Sequence, residues 1–227
     1  MAWTVRHAYA GSPFFRDLLD GAGLDPESVS GVADLPSLPF TDGRQLRDVY
    51  PFGWTAVEVD EIVRVHASRG ATGKLAIATY TANDLDDWAE QSARCLRYAG
   101  VTLADRVQIT AGYGLWAAGA GFQAGAEWLG AMAVPAGPGA LDLQLELMID
   151  FQTTVLCATS SFALSIAEEV ERRGVRDRLA LRVGLFGLGA RRRGAPAHRD
   201  PAWRRDLRHL RPDRAVGARD RDRMHGA

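Results

Sequence analysis

The chain has 227 residues, of which 47% are hydrophobic and 24% charged, a composition typical of a globular protein with a sizeable core. No apolar run reaches the length of a bilayer-spanning helix, and the first residues lack the apolar core of a signal peptide, so we predict a cytoplasmic protein that does not associate with membranes. Two cysteines, Cys95 and Cys157, are too few for a disulfide framework or a cysteine-rich metal site, and we predict that both are core thiols.

The formal net charge of −1 is the sum of two unlike parts. Residues 1–187 hold 14 arginines, one lysine and 23 acidic residues, which gives −8, whereas residues 188–227 hold 12 arginines and five aspartates, which gives +7. The lysine, Lys74, is the only one in the chain. This contrast predicts one folded part over residues 1–187 and an arginine-rich tail of different character over residues 188–227.

The first part of the chain is predicted to contain little regular structure before two strands. Residues 12–24 have the amphipathic pattern of a short helix that ends at glycine. Residues 34–53 carry three prolines, which favours an irregular, extended segment with about one turn of helix. Residues 61–68 and 75–80 are strand candidates, and a glycine-rich loop joins them.

From Thr81 onward, predicted helices and strands alternate. Thr81 is a candidate N-cap with Asp84 three residues later, and the helix that follows has apolar residues at helical spacing. Further strands are predicted at 105–111, 131–136, 153–158 and 181–187, and further helices near 117–130, at 141–151 and at 161–173, the last capped by Thr159 or Ser160 and stopped by Gly174. This alternation predicts an α/β fold with helices layered on a largely parallel sheet.

The glycine-rich loop has the residue types of a phosphate-binding turn. It contains two glycines that allow close backbone approach, two hydroxyl residues, two basic residues and one alanine: Gly70, Gly73, Ser68, Thr72, Arg69, Lys74 and Ala71. It does not fit the Walker A pattern, because only two residues separate its glycines and Leu75 follows the lysine. The alternative interpretation is a plain β-hairpin turn whose charges are solvated.

The order Ser-x-Gly-x-Thr-Gly-Lys resembles the phosphate loop of adenylate-forming enzymes. The flanking stretches SPFFRDLL, YTANDLDDWAEQSARCLRYAGV and GYGLWAAGAGFQAGAEWLGAMAVPAG are similar to those of phenylacetate–CoA ligases, in the same order and at the same spacing. The resemblance covers nearly all of residues 10–187. It implies a partial AMP-binding N-terminal domain over residues 1–187.

The resemblance implies that ATP, Mg²⁺ and CoA take part in the activation of phenylacetate or a related aryl acid. Five residues match the family's phosphate loop, whereas Arg69 and Ala71 depart from it; the matching ones are Ser68, Gly70, Thr72, Gly73 and Lys74. Tyr113 and Trp116 match the aromatic motif beside the aryl-acid pocket, with simple core aromatics as the alternative. No catalytic residue or metal ligand is assigned, His66 is assigned no catalytic role, and a homodimer is compatible with the sequence.

The tail does not continue the family pattern after Gly187. The family's Ala-Glu-Pro and Tyr-Gly-Leu-Thr/Ser-Glu segments, and its later domain with a catalytic lysine, have no counterpart in residues 188–227. The codons permitted for residues 208–214, shifted by one base, allow Asp-Ile-Tyr-Gly-Leu-Thr-Glu, so a frameshift near residues 188–190 is our preferred interpretation. We expect a disordered tail and no ligase turnover from this chain.

Two alternatives belong to other functional classes. The first is a non-catalytic α/β domain that binds a nucleotide without chemistry. The second is a nucleic-acid-binding module that uses the basic tail, which the five interspersed aspartates and the single aromatic residue, Trp203, make less favourable. We therefore predict no nucleic-acid partner.

Overall fold

The structure is a computed structural model that describes residues 1–68 and 75–187. The α-helices are α1 (Ala2–Gly11), α2 (Pro13–Gly21), α3 (Gly43–Asp48), α4 (Ala82–Tyr98), α5 (Ala117–Leu129), α6 (Leu141–Asp150) and α7 (Ser160–Arg173). The strands are β1 (Arg64–Ser68), β2 (Ala76–Tyr80), β3 (Arg106–Ile109), β4 (Met132–Val134), β5 (Val155–Thr159) and β6 (Val183–Gly187). Short 3₁₀ turns lie at Pro26–Ser28, Val32–Ser37, Val59–Glu61 and Arg176–Arg178.

The described residues form two compact units. The first unit consists of Met1–Asp86 with Gly114–Trp116, and the second consists of Asp87–Tyr113 with the described residues from Ala117 onward. The predicted division into a domain over 1–187 and a tail over 188–227 stays a prediction, because the tail lies outside the described residues.

The first unit contains an antiparallel pair of strands. β1 and β2 pair from Arg64 opposite Tyr80 to Ser68 opposite Ala76. The two strand candidates around the glycine-rich loop are therefore confirmed, and their antiparallel pairing sets them apart from the parallel sheet predicted for the rest of the chain. Helix α1 was not predicted, because it buries no residue and its sequence lacks a clear apolar stripe.

The second unit is built on a four-stranded parallel sheet with the order β4-β3-β5-β6, which confirms the α/β prediction. Successive residues of β5 alternate between two apolar cores: Val155 and Cys157 pack with residues of α4 and α5, whereas Leu156 and Ala158 pack with residues of α6 and α7. Because both faces of β5 are covered, the strand is an uninterrupted apolar run, as expected for a buried parallel strand.

Helix α4 begins with the predicted capping arrangement. The Thr81 Oγ1 accepts a hydrogen bond from the Asp84 N–H at 3.2 Å, and the Asp84 carboxylate accepts from the Thr81 N–H at 2.8 Å. The helix buries Ala93 and Leu96, but Cys95 is exposed, so the prediction of a core thiol is wrong at this position. Two residues span about 200° of helix rotation, which turns Cys95 away from the face that buries Ala93.

A buried carboxylate joins three strands of the second unit at their amino ends. Asp105, 3% exposed, accepts hydrogen bonds from the Thr154 hydroxyl at 2.7 Å, from the Thr102 N–H at 2.7 Å and from the Arg182 guanidinium. Burial opposes ionisation, but the hydrogen bonds from Arg182, Thr154 and Thr102 outweigh it and lower the pKa of Asp105 from 3.8 to about 2. Asp105 is therefore ionised at neutral pH.

The order of the strands marks where a ligand would bind. From β3 the chain passes to β4 at one edge of the sheet, then returns to β5 on the other side of β3. Because the connections after β3 and β5 run in opposite directions, the carboxyl ends of these two strands form a topological switch point, which is the usual ligand position in such sheets. Within the described ranges, no helix combines the length and the apolar character needed to cross a membrane.

Candidate functional site

The strand β1 carries the first residue of the predicted phosphate loop. Ser68 is exposed at the end of β1, opposite Ala76 of β2. The other predicted loop residues lie outside the described residues: Arg69, Gly70, Ala71, Thr72, Gly73 and Lys74. Their role in binding phosphate stays a prediction, and only the two strands that flank them are described.

The segment after β3 turns so that one backbone carbonyl is bound by β1. Gly114 has φ of +85°, a conformation that favours glycine, and it lets the chain reverse before Leu115. The Leu115 carbonyl accepts a hydrogen bond from the Ala67 N–H at 2.8 Å and lies 3.3 Å from the His66 Nδ1. The predicted acid-binding segment, Gly112–Trp116, is thus hydrogen-bonded through Leu115 to β1, the strand that leads into the predicted phosphate loop.

His66 is buried, with 5% of its surface exposed, and its ring packs edge-to-face on Tyr80 at 5.5 Å between centroids. Because a carbonyl oxygen can only accept, the contact with Leu115 is a hydrogen bond when the proton is on Nδ1. The sequence could not predict this contact, since the acceptor is a backbone oxygen and carries no residue-specific signal.

The Tyr113 ring lies against two glycines of the second unit. A Cβ at Gly119 would come within 2.9 Å of the Tyr113 ring and 2.7 Å of the Gly112 carbonyl oxygen, and a Cβ at Gly137 would lie 3.9 Å from the same ring. The Tyr113 hydroxyl is buried, and the described residues offer it no hydrogen-bond partner. A polar group in this state is unusual in a folded protein and is suited to a polar atom of a ligand.

The ionisation of Tyr113 follows from its surroundings. Burial raises the pKa of the phenol to about 12, and the negative charge of Glu127 acts in the same direction. The hydroxyl therefore stays protonated at neutral pH and can donate a hydrogen bond to a ligand.

The predicted aromatic pair is divided between the two units. Trp116 belongs to the first unit and is 50% exposed, so the alternative that it is a core aromatic is wrong. Tyr113 belongs to the second unit and is half-buried. Cys157 is buried in β5, where burial raises its thiol pKa to about 12, and the prediction of a core thiol is confirmed there.

A buried amide network supports the turn beside Tyr113. The Gln108 amide donates to Gln144 Oε1 at 2.7 Å, the Gln144 amide donates to the Gly137 carbonyl at 3.0 Å, and the Thr153 hydroxyl donates to Gln108 Oε1 at 2.9 Å. The Gly137 N–H in turn donates to the Ile109 carbonyl of β3 at 2.9 Å. This network was not predicted, because two polar residues inside apolar patterns give no sign that they meet.

Comparisons with known proteins agree with this fold. No protein-family model matches the chain. It is 42% identical over 189 residues to a phenylacetate-coenzyme A ligase of Escherichia coli (strain K12), and this match covers 82% of this chain and 43% of that protein. It is 44% identical over 184 residues to a phenylacetate-coenzyme A ligase of Thermus thermophilus, which covers 81% of this chain and 41% of that protein.

A solved structure of a 2-hydroxyisobutyryl-CoA ligase, in complex with 2-HIB-AMP and CoA, superposes with a TM-score of 0.80 over 92% of this chain and 45% of that one. At 24% identity this likeness shows the fold alone, and it confirms the expected α/β fold. The chain spans less than half the length of the curated relatives it matches. Over the matched four-fifths of its length, the chain belongs to the phenylacetate–CoA ligase family.

Proposed function

We propose that this chain binds ATP and an aryl acid such as phenylacetate, as the nucleotide- and acid-binding part of an AMP-forming acyl-CoA ligase. The observation that carries the proposal is the joint presence of the Ser68–Lys74 loop and the Gly112–Trp116 segment in a chain 40–44% identical to curated phenylacetate–CoA ligases. The bonding of Leu115 to β1 supports it, because this contact ties the two segments together.

The chemistry of the family explains what each segment would do. A carboxylate oxygen attacks the α-phosphorus of ATP and displaces pyrophosphate, and the thiol of CoA then attacks the acyl carbon and displaces AMP. Both the carboxylate and the triphosphate are negatively charged, so they must be held together by cations and amide donors. Lys74 and the loop amides would bind phosphate, and Tyr113 and Trp116 would bind the aryl acid.

Mg²⁺ would accompany the triphosphate. The described residues contain no group of three or more carboxylate, histidine or cysteine side chains placed to hold a metal ion. Magnesium commonly keeps several waters and binds through one or two carboxylates together with substrate phosphates. We therefore derive no step from a preformed protein site for this ion, and we place it with the nucleotide.

The nucleotide half of the proposal is tested by calorimetric titration of the full chain with Mg-ATP. Lys74→Ala should weaken ATP binding by about ten-fold or more, because a charge-assisted phosphate contact contributes roughly 1.5–3 kcal/mol. Arg94→Ala is the matched control, since Arg94 is an exposed cation paired with Glu90 on α4 and should leave ATP binding unchanged. Equal ATP affinity in the wild type and Lys74→Ala would remove the loop from the proposed site.

The acid half is tested by titration with phenylacetate. Trp116→Ala should weaken binding, whereas Trp128→Ala, which removes a tryptophan of similar exposure (47% against 50%), should not. Tyr113→Phe should also weaken binding while leaving the free energy of unfolding equal or higher, because it removes a buried hydroxyl that has no partner in the described residues. A chain that binds ATP but no aryl acid would favour the non-catalytic nucleotide-binding alternative.

Turnover is a separate question from binding. We expect no aryl-CoA from the purified chain, because residues 188–227 lack the family's glutamate and lysine motifs. Product formation that depends on ATP and CoA would contradict that expectation and leave the binding proposal standing.

A further inference from the structure

We infer, on the basis of the proposed function, that His66 is a positioning residue that fixes the acid-binding segment to β1, the strand leading into the phosphate loop. His66 would touch neither ligand. Its hydrogen bond to Leu115 would instead set the positions of both binding segments at once, so that the carboxylate and the triphosphate meet in a defined geometry.

The geometry concentrates this connection on one atom. The Leu115 carbonyl oxygen receives the Ala67 N–H at 2.8 Å and the His66 Nδ1 at 3.3 Å, which come from consecutive residues of β1. Ser68, the first residue of the predicted loop, follows Ala67 directly, and Trp116 of the acid-binding segment follows Leu115 directly. A shift of this carbonyl would therefore move the residues next to both ligands.

The surroundings of His66 make it suited to this task. The side chain is 5% exposed, and its ring is held edge-to-face on Tyr80 of the paired strand β2. Inside such a shielded site a hydrogen bond is stronger than in water, because water does not compete for the acceptor. An apolar side chain of the same size would fill the space but would supply no donor to Leu115.

Two amide variants separate the donor from the volume of the side chain. In His66→Asn the amide nitrogen can occupy the place of Nδ1, whereas in His66→Gln it reaches the place of Nε2. Asparagine should therefore preserve the bond to Leu115, and glutamine should lose it. The two variants are otherwise alike in charge and polarity.

Titrations of the full-length variants with Mg-ATP and with phenylacetate give the main result. We expect His66→Gln to weaken the binding of both ligands by about two- to ten-fold, which is the range for the loss of one hydrogen bond. The affinities of His66→Asn should stay near those of the wild type. Lys74→Ala should weaken the binding of ATP, and Trp116→Ala should weaken the binding of phenylacetate. A loss of both affinities from one substitution outside both binding segments is therefore the distinguishing signature. Thermal melting of each variant shows whether it is folded.

An NMR measurement on the ligand-free chain tests the connection independently of binding. In protein labelled with ¹⁵N at histidine and ¹³C at leucine carbonyls, the inference requires a proton on His66 Nδ1 and a coupling across the hydrogen bond to Leu115. Absence of that proton, or equal affinities for both ligands in folded His66→Gln and His66→Asn, would overturn it. If the wild type binds neither ligand, the proposed function fails, and the inference fails with it even where NMR shows the bond.

Discussion

Replacing Gln108 by leucine removes the centre of the buried amide network in the second unit. Gln108 is fully buried, and its amide donates to Gln144 Oε1 at 2.7 Å and to the Gln144 carbonyl at 3.1 Å. Its own Oε1 accepts the Thr153 hydroxyl at 2.9 Å. Leucine is similar in size but can make none of these bonds.

The magnitude follows from the two groups that lose their partners. Gln144 Oε1 and the Thr153 hydroxyl stay buried, and each such group costs about 1–3 kcal/mol when it is left unsatisfied. The two methyl groups that leucine gains over the amide return about 1–2 kcal/mol through burial. Taking the middle of each range, we therefore expect Gln108→Leu to lower the free energy of unfolding by about 2–3 kcal/mol.

Urea unfolding followed by circular dichroism measures this difference. A double-mutant cycle compares Gln108→Leu, Gln144→Leu and the double variant. The double variant should lose at least about 1 kcal/mol less unfolding free energy than the sum of the two single losses, because each single variant leaves a polar group of the other glutamine unsatisfied. Gln91→Leu, at an exposed position of α4, is the residue-matched control and should change stability by less than about 0.5 kcal/mol. Wild-type stability in Gln108→Leu, or strict additivity, would refute the reasoning.

Three shorter predictions concern other parts of the second unit. Asp105 stabilises the fold fully above its ordinary pKa of 3.8 and loses this contribution as the pH falls through about 2, so Asp105→Asn should flatten the stability curve between these values by about 2 kcal/mol in melts from pH 2 to 7. Gly119→Ala should lower the free energy of unfolding by about 1–3 kcal/mol, because its Cβ would meet the Gly112 carbonyl and the Tyr113 ring. The control Gly21→Ala, whose Cβ would meet no atom within 4 Å, should leave it unchanged. Equal urea midpoints for the two variants would contradict the clash. A thiol reagent should label Cys95 in the folded chain and Cys157 only after unfolding, and mass spectrometry of the labelled peptides would expose any early reaction at Cys157.

The local features of the fold could be predicted because they depend on neighbouring residues. The capping pair of Thr81 and Asp84 and the left-handed glycine Gly174 at the end of α7 lie where the sequence places them. The alternation of helices and strands likewise predicted the parallel sheet, since each connecting helix is long enough to return the chain to the end of the sheet at which the previous strand began.

The features that were missed depend on residues far apart in the chain. The bond between His66 and Leu115 joins residues 49 positions apart, and the acceptor is a backbone oxygen that no residue type can signal. Gln108 of β3 and Gln144 of α6 meet only because α6 packs on the sheet, where Leu145 and Met148 share a core with β5, the neighbour of β3. The exposure of Cys95 shows a different limit, because a helix with a narrow buried stripe leaves some apolar positions to solvent.

The three residues Gly114–Trp116 belong to the first unit although the chain on both sides of them belongs to the second. During synthesis on a ribosome, the N-terminal unit therefore cannot be finished when Asp86 emerges, and it must wait until Trp116 has left the exit tunnel. A nascent chain stopped at about residue 110 would leave the Ala67 amide facing water. Protease resistance of the N-terminal unit should consequently appear late, only after β3, the first strand of the parallel sheet, has emerged.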